Sequence, residues 1–198
     1  MSAIPVPSLT PSQYLEIERA AATKSEYFDG QMFAMSGGLL PHALISTALL
    51  RELDVALDGR KCSTAGSDLR VGVSEQGPFF YPDVSVHCGD AELADDWKDT
   101  LLNPVLIIEV LSPSSEAFDR GKKFAAYRRI PTFREYALVS QTEPSVEVYF
   151  KGPAEAWTFT EFTGLQAICA FQSLGLEIPL AAIYRRVSLG TATVPILP

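Results

Sequence analysis

Tyr81-Pro82-Asp83-Val84-Ser85-Val86 and Ile107-Ile108-Glu109-Val110-Leu111 decide the fold, because each sets one carboxylate inside a run that otherwise reads as a buried β-strand. An ionised carboxylate in an apolar interior is costly, so it needs a partner or takes up a proton. Val105 to Leu111 is apolar at every position except Glu109, which leaves that residue no polar face and marks a central strand covered on both sides. Taken singly, a strand carboxylate more often faces solvent at a strand end or pairs with an arginine. Two on neighbouring strands make a hard, oxygen-rich site. Such donors suit magnesium or manganese, which bind through one or two carboxylates and take further contacts from water and substrate phosphates.

Working outward, Ser112-Pro113-Ser114-Ser115 leads into Glu116 to Arg129, where apolar and small residues recur at helical spacing; Ser114 or Ser115 caps this helix and Pro131 stops it. Asp119, Lys123 and Tyr127 follow one another in steps of four and share a face. If that face looks at the strand ends, Lys123 stands near both carboxylates, where it can orient a metal-bound water and stabilise charge growing on phosphate. The alternative is an exposed lysine paired with Asp119.

The flanks supply the remaining elements. Thr10 to Arg19 reads as a capped helix, Glu26 to Met35 as a hairpin turning at Asp29-Gly30, and His42 to Leu57 as the first long helix, with Leu44, Ile45, Ala48, Leu49, Val55 and Ala56 at helical spacing. Strands are expected over 63–73, 79–87 and 104–111, then over 134–140, and over 145–150 and 157–162 as a meander. An acidic loop spans 89–100, and 176–180 leads into a short terminal helix.

The segments 81–86, 108–114 and 119–131 closely resemble the Uma-type family of endonucleases, in the restriction-endonuclease-like PD-(D/E)XK superfamily. The resemblance runs from about Thr10 to Arg186 and implies one domain over 1–198, with its core at about 10–186 and a tail over 187–198. The implied fold is α/β (an α+β mixed sheet): an αβββαβ core with an N-terminal helix and hairpin and a C-terminal β-meander. Carried over by position, Pro82-Asp83 matches the family's "PD", Glu109 its acidic position, and Lys123 the lysine that this branch places on the following helix. Glu26 is suggested as a third acid, or is simply exposed. Two residues after Glu109, where the superfamily usually has its lysine, stands Leu111. The implied activity is Mg2+- or Mn2+-dependent hydrolysis of DNA phosphodiesters, with Asp83, Glu109 and the Val110 carbonyl holding the ion, and Lys123 and Glu26 completing the catalytic set. Arg70, Arg120, Lys122 and Tyr127 are the expected substrate contacts, and a homodimer follows if both strands are cut.

Composition fits a globular chain: 198 residues, 47 % hydrophobic and 20 % charged. The formal net charge of −8 and pI near 4.8 exclude a generic polyanion binder. Locally the sign reverses, since 119–135 carries Arg120, Lys122, Lys123, Arg128, Arg129 and Arg134 against Asp119 and Glu135, or +6 − 2 = +4. These arginines either form a basic strip for the substrate or pair with acids elsewhere. No signal-like segment and no run of membrane length is present, so a soluble cytoplasmic protein is expected. Cys62, Cys88 and Cys169 form no C-x-x-C pair and read as reduced core residues.

Other residues are read more plainly. Asp68 and Arg70 project to one side of a strand and pair with each other, or Arg70 holds a phosphate. His42 caps or packs rather than acting as a base, and Trp97 anchors a loop tip rather than stacking on a nucleobase. Two other functions stay open. One is an inactive endonuclease-fold module binding nucleic acid or protein. The other is an assembly protein using Tyr149, Trp157, Phe159 and Phe162 as an interface, although these read first as core.

Overall fold

A computed structural model of the chain describes residues 8–189. Helix α1 (Pro11–Ala20) starts from a reciprocal cap: the Gln13 N–H donates to Thr10 Oγ1 at 3.2 Å and the Thr10 N–H to Gln13 Oε1 at 2.8 Å. Strands β1 (Ser25–Phe28) and β2 (Gln31–Ala34) form the hairpin, turning through Asp29 and Gly30 at φ 50° and 76°. Helix α2 (Leu40–Ala56) buries Ile45, Leu49 and Leu53, whereas Val55, expected inside, faces solvent.

The next expected strand is two. β3 (Cys62–Gly66) joins one sheet, and after a turn β4 (Arg70–Gly72) joins another. The following run splits likewise, into β5 (Phe79–Phe80) and β6 (Val84–Cys88) on either side of Tyr81-Pro82-Asp83. Proline has no N–H for a ladder, and the Tyr81 N–H donates to the Glu26 carboxylate at 3.1 Å, so the chain leaves one sheet there and enters the other. β7 (Thr100–Leu101) and β8 (Leu106–Val110) follow.

The crossover is helical but not uniform. α3 (Glu116–Phe118) passes through a π-helical turn (Asp119–Lys123) into α4 (Phe124–Tyr127). Such a crossover is what the parallel pairing of β8 with β9 (Glu135–Val139) requires. β10 (Ser145–Lys151) and β11 (Trp157–Thr163) make the meander, β12 (Ile168–Phe171) pairs with β13 (Leu176–Pro179), and α5 (Leu180–Ile183) comes last. The tail expected from 187 lies, beyond Leu189, outside the described residues.

The larger sheet has the order β11-β10-β9-β8-β6-β3, and the smaller one β2-β1-β5-β4-β7. With α2 and the crossover helices, β3, β6, β8 and β9 complete the αβββαβ core, a mixed α/β fold. One face of the large sheet, including Val84, Val86, Ile108 and Val110, packs with α2 and α5. Ile107 and Leu138 project from the opposite face toward Tyr127 and Phe80. Strand alternation puts Glu109 on that second face, beneath the crossover helix.

The cysteine reading is corrected. Cys62 and Cys88 stand opposite each other on β3 and β6 and form a disulfide, and only Cys169 is a buried free thiol among the described residues. Their 26-residue separation carries no signal of this, because antiparallel register brings them together.

Candidate active site

Pro82 ends the ladder and delivers Asp83 to the edge of β8, where its Oδ2 accepts the Val110 N–H at 2.8 Å. The same oxygen lies 3.3 Å from His42 Nε2, at the first turn of α2. That contact raises the His42 pKa above 6.5 against the opposing effect of burial, and the backbone of Val110 adds to it. Gly38 lies close on the approach, where a Cβ would stand 3.0 Å from His42 Nδ1, a tight contact. His42 therefore belongs to the site rather than to a packing role.

Glu109 is buried, and its Oε1 accepts from Lys123 Nζ at 3.2 Å and from the Tyr127 hydroxyl at 3.3 Å. Lys123 crosses from the π turn, so it reaches Glu109 although Leu111 occupies the usual lysine position. Its ammonium also forms ion pairs with Glu26 at 2.8 Å and with Asp119 at 3.2 Å. Glu26 is held in turn by the Tyr81 N–H, which ties the small-sheet hairpin to the Pro82-Asp83 crossing.

Charge in this cluster is unbalanced. Burial, then the charges of Asp119, Asp83 and Glu26, push the Glu109 pKa well above the usual carboxylate range, against the pull of Lys123. Burial disfavours the lysine's charge, yet Glu109, Glu26 and Asp119 outweigh it and keep the ammonium protonated. Asp119 Oδ1 is buried and accepts no hydrogen bond. Four carboxyl groups thus line the cleft with Lys123 and His42 as its basic groups among the described residues, an oxygen-rich surplus of acids that suits a hard divalent cation. Among the described residues no three Asp, Glu, His or Cys side chains are arranged to hold a metal together. The residues that could hold one are Asp83 and Glu109, two carboxylates that line the cleft together with Val110, a small set of the kind that water and phosphate complete.

These groups line a cleft of about 680 Å³, which also takes in Phe33 and Phe118. The other sequence candidates lie elsewhere. Tyr127 is fully buried, so it orients Glu109 and cannot touch a substrate. Arg120 is held by Glu116 at 2.8 Å and by Glu147 at 2.9 Å. Lys122 sits 5.6 Å from the Phe28 ring centroid, beside the cleft.

Arg70 pairs neither with Asp68, which binds Lys24, nor with the cleft. It is buried, donates to Thr100 Oγ1 at 2.9 Å and to the Tyr81 hydroxyl at 3.0 Å, and meets Asp99 at 2.8 Å. Tyr81 passes this network to Glu18 on α1 at 3.0 Å. The acidic loop is correspondingly pinned: Arg19 pairs with Asp95 and Asp99 and lies over the exposed Trp97 ring at 5.0 Å. Of the late aromatics, Tyr149 and Trp157 pack on Phe124, whereas Phe159 is exposed. No described helix is long and apolar enough to cross a membrane.

Comparison with known proteins gives three kinds of likeness. A family model, Uma2, described as "Putative restriction endonuclease", matches residues 11–181. Two uncharacterized proteins of Synechocystis sp. (strain ATCC 27184 / PCC 6803 / Kazusa) are similar throughout. The first, slr1290, is 38 % identical over 183 residues, covering 91 % of this chain and 94 % of its own. The second, sll1609, is 36 % identical over 163 residues, covering 82 % and 92 %. Among solved structures, a "putative nuclease belonging to DUF820" from Anabaena variabilis ATCC 29413 superposes with a TM-score of 0.73 at 18 % identity, over 91 % of this chain and 98 % of that one. This last likeness is one of fold.

Proposed function

The chain belongs to the Uma2 family, and from that premise we propose that it is a Mg2+- or Mn2+-dependent endonuclease that hydrolyses DNA phosphodiesters. One observation carries the reading: Lys123 Nζ lies 3.2 Å from the buried Glu109, whose neighbour Val110 holds Asp83 in place through its N–H. Lysine, strand acid and "PD" acid converge here although the chain lacks the usual E-x-K spacing. The Anabaena protein of the same fold is itself described as a "putative nuclease".

In this reading Asp83, Glu109 and the Val110 carbonyl would hold the ion. When bound, it would supply a water of lowered pKa and offset charge on the phosphate. The residues of the chain do the rest. Lys123, kept charged by its three carboxylates, presents positive charge where the phosphate would gain negative charge as its phosphorus becomes five-coordinate. Tyr127, whose own pKa is raised by burial and by Glu109, remains a hydrogen-bond donor and fixes the carboxylate's orientation. Glu26 aims the ammonium from the other sheet.

The test is a calorimetric titration of manganese into the wild type, Asp83→Asn and Glu109→Gln, with thermal melts and cleavage of plasmid DNA run in parallel. Wild type should bind and cut, and both variants should melt as folded proteins while losing binding and cleavage. A wild type that binds no manganese, with or without DNA, would sink the catalytic reading. Leu111 at the usual lysine position favours one alternative, a non-catalytic module, which would show salt-sensitive DNA binding without metal-dependent cutting.

A further inference from the structure

We propose that the cleft takes an unpaired nucleotide, with Phe33 as the ring on which its base stacks, so that single-stranded polynucleotide is the preferred substrate class; this rests on the endonuclease reading above. Phe33 stands directly opposite Glu26 in the β1–β2 hairpin, so its side chain lies on the same sheet face as the carboxylate that holds Lys123. It is 42 % exposed on an edge strand, although residues on the other face of that hairpin are packed inward against Tyr14 and Phe79. Its ring centroid is 6.0 Å from Phe118, which is braced edge-on against Phe28 at 5.6 Å. The wall is therefore backed by packed rings behind Phe33 and open in front of it. The cleft volume, about 680 Å³, is ample for a nucleotide.

The charges agree with this choice. A duplex is gripped mainly through several phosphates at once, by cations free to meet them. Lys123 and His42 are the cleft's cations among the described lining residues, and both already face carboxylates. On the adjoining helix Arg120 is held by Glu116 and Glu147, and beyond it Arg134 by Glu155. Arg128 and Arg129 are exposed but neither lines the cleft, and Arg128 lies over the Phe124 ring at 5.0 Å. Lys122 is exposed and 5.6 Å from the Phe28 ring centroid, outside the cleft's lining. With so little positive charge on offer, affinity must come from stacking, which needs a base whose faces are not covered by its neighbours in a helix.

The experiment measures fluorescence anisotropy and manganese-dependent cleavage with a labelled 12-nucleotide DNA strand, the same strand as RNA, and the DNA duplex, using the wild type, Phe33→Ala and Phe33→Trp. The expected result is single-strand binding at least about tenfold tighter than duplex binding, weakened about 5- to 100-fold in Phe33→Ala and retained in Phe33→Trp. Manganese affinity and the thermal midpoint should be the same in all three proteins. Either order of the DNA and RNA strands supports the proposal, since both offer unpaired bases. Tighter duplex binding, or single-strand affinity that Phe33→Ala leaves unchanged, overturns it while leaving an observed cleavage in place. Phe33-dependent binding without cleavage of any substrate keeps the stacking site and removes the endonuclease, and no binding of any strand removes both.

Discussion

His42 and His87 are the chain's two histidines, and their surroundings push them in opposite directions. Asp83 raises His42, whereas burial lowers His87, whose Nδ1 is buried without a hydrogen-bond partner. In an NMR titration, one imidazole should therefore titrate above 6.5 and the other below it. The stabilisation from charged His42 is complete below its unfolded pKa of about 6.5 and is lost as pH rises through the folded value; that from neutral His87 is present above 6.5 and lost as pH falls through its folded value. Asp83→Asn should move the higher pKa down and leave the lower one in place. Two unmoved resonances would refute the contact. Asp83, Glu109 and Lys123 were legible as candidates because a charge inside an apolar or patterned run needs an explanation. The placement of His42 was not, since nothing local to Pro41-His42 says that the start of this helix folds back over Asp83.

Most elements could be read from periodicity and caps, but the expected strands over 63–73 and 79–87 could not. Each reads as one strand while its halves belong to different sheets, because strand-forming residues say that a segment pairs without saying with which neighbour. The break at Tyr81-Pro82-Asp83 had a signal in Pro82; the break at Ser67 to Leu69 had only a weak one. Steps of four did place Asp119, Lys123 and Tyr127 around one carboxylate cluster, although a π turn intervenes, a local widening that is frequent at functional sites. The β3–β6 disulfide was illegible because register, not spacing, makes it. Closing a loop across a 26-residue separation should stabilise the fold by about 3.5 kcal/mol, so Cys62→Ser with Cys88→Ser should unfold at correspondingly lower urea without loss of secondary structure. Reduced wild type should behave like the double variant, and equal stability of all three would count against the bond.

At the scale of the molecule, Glu26 comes from the small sheet, Glu109 from the large one, Asp83 from the crossing between them, and Lys123 from the helix laid over both. No single stretch of sequence contains that arrangement, which is why the cleft could be expected but its aromatic wall could not. The small sheet's strands run from two to four residues, and it joins the large sheet through Val71, Phe80 and Leu101, which share a buried cluster with Ile107 and Leu138, while Arg70, Tyr81 and Glu18 tie it to α1. Short elements open before longer ones do. On slow heating, manganese binding should therefore disappear at a lower temperature than the far-ultraviolet circular dichroism of the large sheet; coincident transitions would show that the two sheets melt as one. A centre shared in this way works as an alignment gauge. Changes far from the cleft that let one sheet slip past the other would silence it while every secondary-structure element survives, so inactivity in a distant variant reports lost registration rather than lost chemistry.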